Sequence, residues 1–416
     1  MGACFNGIRN TFYAPVLKAT PSLGSRLNRN MDLPIYLDYN ATTPVDERVF
    51  ERMRPYFTEQ YGNASSQGHA LGWAADEAVE QAREQTAAFL EADDPRTVTL
   101  TSGATEALNL GIKGVARAYA RSGKHLVTVR TEHKAVLGAH EALEHEGFDV
   151  TRLPVDENGR VDPADVEHAL TDDTTLVSVM WSNNETGVLH PIPAIYDRLQ
   201  AHDALLLTDA TQAIGKVPVG TEHCDLLALS GHKVYGPKGG GALYASRRRP
   251  RVRLVPLIDG GGQEAGRRGG TLNTPAIVGL GAALETASEE REDDAQRLTA
   301  LRDEFEQRLT GALPDVQVNG GEAERLPNTS NVTFRGLTAD DLMTRMRGVA
   351  VSTGSACQSA AGEPSHVLKA HGLSDEEARA TVRFSLGRPT TEEEISHVAD
   401  QVVEGVQALR PASAHA

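Results

Sequence analysis

Short apolar runs and longer amphipathic segments alternate along residues 46–290. Runs of strand length fall at 97–101, 125–129, 176–180, 204–208, 225–229 and 241–245. Helical spacing marks the segments between them: over 71–91, Ala74, Ala78, Val79, Ala82, Thr86, Phe89 and Leu90 recur on one face. Strands that are apolar at successive positions are covered on both sides, so the alternation predicts βαβ units and a mainly parallel sheet. A longer helical pattern starts near Pro275 and becomes highly charged over Glu289-Glu290-Arg291-Glu292-Asp293-Asp294, which reads as a solvated helix face. Beyond it, strands predicted at 316–318, 330–334, 349–351 and 382–386 alternate with helices. The expected organisation is a large domain over 46–290 and a smaller α+β domain over 291–410. Residues 31–45 fold back to join the smaller domain, and 1–30 and 411–416 are tails.

Several polar residues follow the predicted strands, and in an open parallel sheet ligands bind outside the strands' carboxyl ends. Lys233, in Ser230-Gly231-His232-Lys233-Val234-Tyr235-Gly236-Pro237, follows one run and suits Schiff-base chemistry. Asp209 follows another; an aspartate beside such a lysine is what pyridoxal phosphate needs to keep its ring nitrogen protonated. Asn184 follows a third. Each alone is a plausible turn residue, whereas the ordered set points to one crevice. In Thr101-Ser102-Gly103-Ala104-Thr105-Glu106, a strand enters a helix through small residues, so free N–H groups and the positive dipole end can meet a phosphate. Gly236-Pro237-Lys238-Gly239-Gly240-Gly241 lacks the spacing of a nucleotide phosphate loop and reads as a turn into the next strand.

Four further side chains extend this set. His133 follows the 125–129 strand, where an imidazole can stack on a cofactor ring and shuttle protons, or simply hold a turn. Gln212 is within reach of the cofactor's phenolic oxygen. Arg383 opposes Val382, Phe384 and Leu386 in the alternation of its strand, so it can clamp a substrate carboxylate from the far face. Cys357 sits among Ser, Gly and Ala in residues 351–362 rather than among large apolar neighbours, which suits a mobile thiol.

Composition narrows the class. A chain of 416 residues with 40% hydrophobic content supports a large core and an enzyme rather than a small binding module. The net charge of −16 argues against direct nucleic-acid binding, and no run has the length of a membrane span. Cys4, Cys224 and Cys357 show no metal or disulfide spacing, which fits a reducing, cytoplasmic setting. Arg9, Lys18, Arg26 and Arg29 face no acidic residue within the first 30, so this segment reads as a disordered tail ahead of an alternative start at Met31, or as an organellar presequence.

Taken in order, the motifs resemble the cysteine desulfurases of the NifS/IscS type, within the class V aminotransferase group of pyridoxal-phosphate enzymes. The resemblance covers nearly all of residues 35–410. It runs through Tyr36-Leu37-Asp38-Tyr39-Asn40-Ala41-Thr42-Thr43-Pro44, Thr131-Glu132-His133-Lys134, Asn183-Asn184-Glu185-Thr186-Gly187, Asp209-Ala210-Thr211-Gln212, Gly269-Gly270-Thr271-Leu272, Ser355-Ala356-Cys357 and Arg383-Phe384-Ser385, besides the segments at 101–106 and 230–236.

The resemblance implies an α/β fold of pyridoxal-phosphate fold type I, with a mainly parallel seven-stranded sheet in the large domain and a smaller α+β domain. It implies Lys233 as the cofactor-binding lysine, Asp209 at the ring nitrogen, His133 over the ring, and Gln212 and Asn184 near the ring oxygen. Ala104, Thr105, Ser230 and His232 would hold the phosphate, joined by Thr271 from the other subunit of a homodimer. Arg383 and Asn184 would bind the carboxylate of L-cysteine. Cys357 would accept sulfur, as in the long-loop branch, and pass it to a protein acceptor for iron–sulfur cluster assembly or thiolation. No metal site is implied beyond transient ligation of a cluster by Cys357.

Alternatives of the same fold are a selenocysteine lyase or an aminotransferase; a more distant one is a non-catalytic sulfur carrier or scaffold. Ala64 stands where the family usually has proline, and Gly269 where it usually has serine. The sequence ends soon after Leu409, short of the tail with which many members dock a scaffold.

Overall fold

The computed structural model describes residues 34–248, 252–354 and 363–410; Cys357 and both predicted tails lie outside them. Twelve strands follow in chain order among these residues: β1 (Ile35–Tyr36), β2 (Val98–Thr101), β3 (His125–Val129), β4 (Asp149–Leu153), β5 (Thr174–Ser178), β6 (Leu205–Asp209), β7 (Leu226–Ser230), β8 (Gly241–Ala245), β9 (Val316–Val318), β10 (Thr329–Phe334), β11 (Val349–Ala350) and β12 (Thr381–Ser385). Seven form one sheet in the order β2-β8-β7-β6-β5-β3-β4, and β12-β10-β9 form another. In the large sheet only β8 runs against its neighbours, so β2 to β7 all present their carboxyl ends at one edge.

Its central strands are apolar on both faces because both are covered. Along β7, Leu226 and Ala228 pack with the helices Ala104–Tyr119 and Lys134–Glu144, whereas Leu227 and Leu229 pack with Ala70–Phe89 and the start of Thr274–Ala312. β4 is an edge strand with an exposed end, Asp149, and only Leu153 fully buried. Its sequence therefore shows no apolar run, and strand prediction passes over it. The expected strands at 125–129, 241–245 and 316–318 keep their bounds; those at 204–208 and 225–229 lie one residue further toward the carboxyl side, those at 176–180 and 382–386 lie two residues and one residue toward the amino side, those at 97–101 and 349–351 shorten, and the one at 330–334 begins one residue earlier.

Helix Thr274–Ala312 spans both sheets. Ile277, Leu280, Leu284 and Ala287 belong to the core under the large sheet, while Leu298, Leu301, Phe305 and Leu309 pack against Val332, Phe334, Val382 and Phe384 of the small one. The expected domain boundary at 290/291 falls inside this continuous helix. The charged stretch at that point is only partly a solvated face. Glu289, Glu292 and Asp293 are exposed, but Glu290 and Asp294, one turn apart, hold Arg388 at 3.2 and 2.9 Å, and Arg388 also meets Asp46 at 3.1 Å. Arg388 stacks 4.3 Å from the Tyr235 ring centroid, so this cluster pins the segment after Lys233 to the segment after β12. Near the amino end, β1 pairs with β11 in parallel, and Asp38 bridges to Ser385.

Three histidines are locked neutral in this core. Burial pushes His140, His190 and His371 down to about 4. His140 donates from Nδ1 to the Val136 carbonyl, 2.9 Å away. A base whose folded pKa is depressed contributes stability above its unfolded value of about 6.5 and loses it as pH falls toward 4, because the unfolded chain then binds the extra protons. Buried Glu132 and Asp225, both raised by burial, oppose this slope. The share of one histidine is therefore read by difference. His140→Leu is expected to flatten the fall in stability between pH 6.5 and 4, by an amount on the order of 3 kcal/mol at the acid end. Parallel denaturant titrations of both proteins across that range would show it; identical slopes would mean that His140 is reached by water when protonated.

Candidate active site

The carboxyl edge of the large sheet opens into a cavity of about 450 Å³. Lys233, Asp209, His133, Asn184, Gln212 and Arg383 all line it, together with Ala104, Thr105, Ser230 and His232. Every expected site residue within the described segments is therefore gathered there except Thr271, which is exposed and stands off this chain's own cavity.

One end is built for an anion. β2 leads through Gly103 into helix Ala104–Tyr119, whose first N–H groups receive no side-chain cap. Gly103 has φ 145°, and a Cβ on Gly241 would meet its Cα at 2.5 Å, so glycine is needed on both sides of this close approach. Lys238 and Gly239 also line the cavity, so the glycine-rich segment before β8 is part of the site and not merely a turn. Burial pushes His232 down to about 4, with Lys233, Lys238 and Lys216 adding to the effect. Its Nδ1 lies 3.2 Å from the Thr42 hydroxyl. Glu106, in the first turn, is raised by burial but held below the usual carboxylate range by Arg268 and the Ser102 N–H.

Lys233 ends the short turn Gly231–Lys233 that follows β7, and its Nζ donates to the carbonyls of Asn40 and Ala41 at 2.6 and 2.8 Å. Asp209 is the last residue of β6, and its Oδ1 accepts from the Thr211 N–H at 2.9 Å. His133 caps helix Lys134–Glu144: its Nδ1 accepts from the Ala135 N–H at 3.1 Å, so the neutral ring carries its proton on Nε2. Burial lowers the His133 pKa; Asp209 opposes this and Lys233 adds to it. The side-chain oxygens of Asn184 and Gln212 are buried without a hydrogen-bond partner among the described residues. Polar atoms left so in a cavity mark places for a ligand's donors.

The other end of the cavity is closed by the small sheet. Arg383 on β12 is 1% exposed; it donates to Asp38 Oδ1 at 2.6 Å and to the Asn184 carbonyl at 2.8 Å. Alternation works as read: Val382, Phe384 and Leu386 enter the core while Arg383 faces the cavity. It is a buried arginine, not an exposed one.

The aminotransferase class-V family pattern matches residues 35–398. The chain belongs to this family. A cysteine desulfurase IscS of an Anaeromyxobacter species (strain Fw109-5) is 52% identical over 385 residues, covering 92% of this chain and 95% of that protein. A solved NifS-like protein is 36% identical with a TM-score of 0.82, over 89% of this chain and 99% of the other. A solved SspA in complex with cysteine is 42% identical with a TM-score of 0.75, over 85% and 98%.

Within this class-V site, sequence reasoning missed groups whose partners are far away in the chain. Asn40 and Ala41 give Lys233 its acceptors. Glu185, next to Asn184, accepts from the Ser365 hydroxyl at 2.6 Å, and one of its carboxylate oxygens lies 3.2 Å from where a Cβ on Gly354 would stand. The two stems that flank residues 355–362 thus meet on one buried carboxylate. Glu264 is 1% exposed at its side chain; it receives Arg83 and the Leu100 N–H at 2.7 Å, although Glu264 and Ala265 both take positive φ. This ties the segment leading to Thr271 onto edge strand β2. Lys216 was also missed; its only signal in the sequence is its place four residues after Gln212.

Removing one partner of a buried ion pair leaves the other charge uncompensated. Asp38→Ala is expected to cost about 3 kcal/mol in urea unfolding, since Arg383 would keep only the Asn184 carbonyl. A loss within 0.5 kcal/mol, the spread of ordinary surface changes, would show that water in the cavity replaces Asp38.

Proposed function

We propose that the chain is a pyridoxal-phosphate-dependent cysteine desulfurase that takes sulfur from L-cysteine, releases L-alanine and holds the sulfur as a persulfide on Cys357. The observation that carries this reading is the convergence of Lys233, Asp209, His133 and Arg383 on one cavity, together with the half-identical relatives named as cysteine desulfurases. The residues present fit the cofactor. An uncapped helix start framed by Gly103, Ser230 and His232 suits its phosphate, and the orphaned oxygens of Asn184 and Gln212 and the carboxylate of Asp209 line the space for its ring.

When bound, pyridoxal phosphate supplies an aldehyde carbon that captures amino groups and a ring that takes up electrons from the substrate's Cα. The protein's own groups do the rest. Asp209 holds a proton at the ring nitrogen. Arg383, with its Nε still free of a partner among the described residues, binds the substrate carboxylate and turns the Cα–H toward Lys233, whose amine takes that proton. His133, with its proton on Nε2, would lie over the ring and could pass a proton on. The Cys357 thiolate then attacks the substrate sulfur: an S–S bond forms, the C–S bond breaks, and its electron pair stays with the carbon fragment, which is protonated to alanine. Cys224 is unsuited to this role, being buried with its thiol pushed up by burial.

The same reading makes the active form a homodimer in which Thr271 completes the partner's phosphate site. Thr271 stands exposed off its own cavity, and Phe57, Tyr61 and Trp73 leave 58%, 66% and 59% of their surface open, which supports a second copy. No helix among the described residues is long and apolar enough to cross a membrane. The reading has the enzyme work in the reducing cytoplasm and pass its persulfide to a protein acceptor for iron–sulfur cluster assembly or thiolation.

With cofactor, L-cysteine and a thiol reductant, the protein is expected to release alanine and sulfide in equal amounts. Cys357→Ala should keep the cofactor and lose both products, and Lys233→Ala should no longer hold the cofactor covalently after borohydride reduction. Amino transfer to a 2-oxo acid in place of sulfide release would point instead to an aminotransferase, and alanine formation undiminished in Cys357→Ala would remove that residue from the mechanism.

A further inference from the structure

A second lysine lies directly behind the first. Lys216 Nζ donates to the Gln212 carbonyl at 3.0 Å and to the Lys233 carbonyl at 3.4 Å. These are the backbones of two residues that face the cavity from different strand ends. Their turns are also in close contact beside this bridge: a Cβ on Gly215, at φ 68°, would meet the Val234 side chain at 2.5 Å. Part of the Lys216 stem is accessible, but its amine sits deep, and burial followed by the charge of Lys233 pushes it down to about 7. Among the described residues no carboxylate forms an ion pair with Lys216.

The charged and titratable groups around it are few. Lys233 and His232 belong to the turn it holds. Tyr39, Tyr235, Asp294 and Arg388 line the same small cavity of about 30 Å³ behind Lys233. Arg388 engages Asp294 at 2.9 Å, so that carboxylate is already matched. A buried amine without a counter-ion is costly. Its two backbone acceptors satisfy hydrogen bonds but do not neutralise its charge.

We propose that Lys216 is a positioning residue for the catalytic lysine: its amine ties the turn presenting Lys233 to the turn presenting Gln212, and its charge stands against a second charge on Lys233. A neutral amine is the form that captures an aldehyde and accepts a proton, and a neighbouring cation is one of the ways a lysine is kept neutral. The geometry makes the effect selective. Lys216 is not itself a lining residue of the cavity and makes no hydrogen bond to Arg383; it reaches the site only through the backbones of Gln212 and Lys233, so it acts on Lys233 and not on substrate affinity.

The inference rests on the desulfurase reading, and the test separates the two. Parent, Lys216→Met, Lys216→Gln and Lys216→Arg are compared as holoproteins by the pH titration of the bound cofactor's visible absorption, with kcat and KM for L-cysteine and the melting temperature. Loss of the charge in the Met and Gln variants is expected to move the titration midpoint up by about one pH unit and to lower kcat about tenfold with KM within twofold, and Arg is expected to restore the midpoint. If the Met variant fails to fold, the Gln variant carries the same comparison. A midpoint unchanged in the uncharged variants overturns the proposal, whatever happens to melting temperature or rate. A parent protein that does not hold the cofactor on Lys233 after borohydride reduction would overturn the desulfurase reading instead.

Discussion

Asn40 is the knot on which the site depends. It is 1% exposed, and nearly every polar atom it has is engaged across the chain. Its N–H donates to the Ser385 hydroxyl, and its side-chain amide donates to Thr329 and to the Asn184 carbonyl while accepting from Asn328. Its own carbonyl receives both the Lys233 amine and the Gln212 amide. Three of these partners belong to or adjoin the small sheet, and three follow strands of the large one. A single buried residue near the amino end thus fixes the distance between Lys233 and the arginine strand that closes the cavity. Because each of these groups would otherwise be desolvated without a partner, at a cost of roughly 1–3 kcal/mol apiece, the arrangement has little freedom to drift.

The electrostatics follow from that fixed frame. In a chain of net charge −16, the cavity gathers Lys233, Lys238 and Arg383, with Lys216 behind them and an uncapped helix start beside them. Asp38 answers Arg383, and Arg268 answers Glu106. His133 and His232 are both pushed toward neutrality by burial, so they add hydrogen-bonding capacity without adding charge. A site with Lys238 and an uncapped helix start at one end, the buried guanidinium of Arg383 at the other and a buried aspartate at its base suits, on the proposed reading, a ligand pair that is anionic at its extremities and takes up a proton in between. Phosphate at one end and carboxylate at the other meet that description.

What the sequence could reveal was whatever depends on neighbours along the chain. Buried strands announced themselves as apolar runs, and their polar successors Asp209, Lys233 and Asn184 were found because a strand end is a local feature. Arg383 was found by alternation within five residues. β4 escaped because an edge strand half in solvent has no apolar run, and the split character of Glu290 and Asp294 escaped because Arg388 lies far beyond them in sequence. Asn40, Glu185 and Glu264 had no local signature either: each matters through partners well over a hundred residues away.

The same distinction explains how the chemistry is divided. Groups that must touch a ligand sit at strand ends, where the sheet holds their Cα atoms and the helix-free edge leaves room. The groups that orient those residues work through backbone carbonyls: the carbonyls of Asn40 and Ala41, at the cavity wall, take the amine of Lys233, and Lys216, one layer behind, bonds the carbonyls of Lys233 and Gln212. A carbonyl acceptor can orient an ammonium without titrating, so it keeps Lys233 in place without competing for its proton. A carboxylate in the same position would stabilise the charged amine and slow every step that needs it neutral. On the proposed reading the backbone acceptors fix where the Lys233 amine points, the cation at Lys216 stands against its charge, and the knot at Asn40 sets its reach into the cavity.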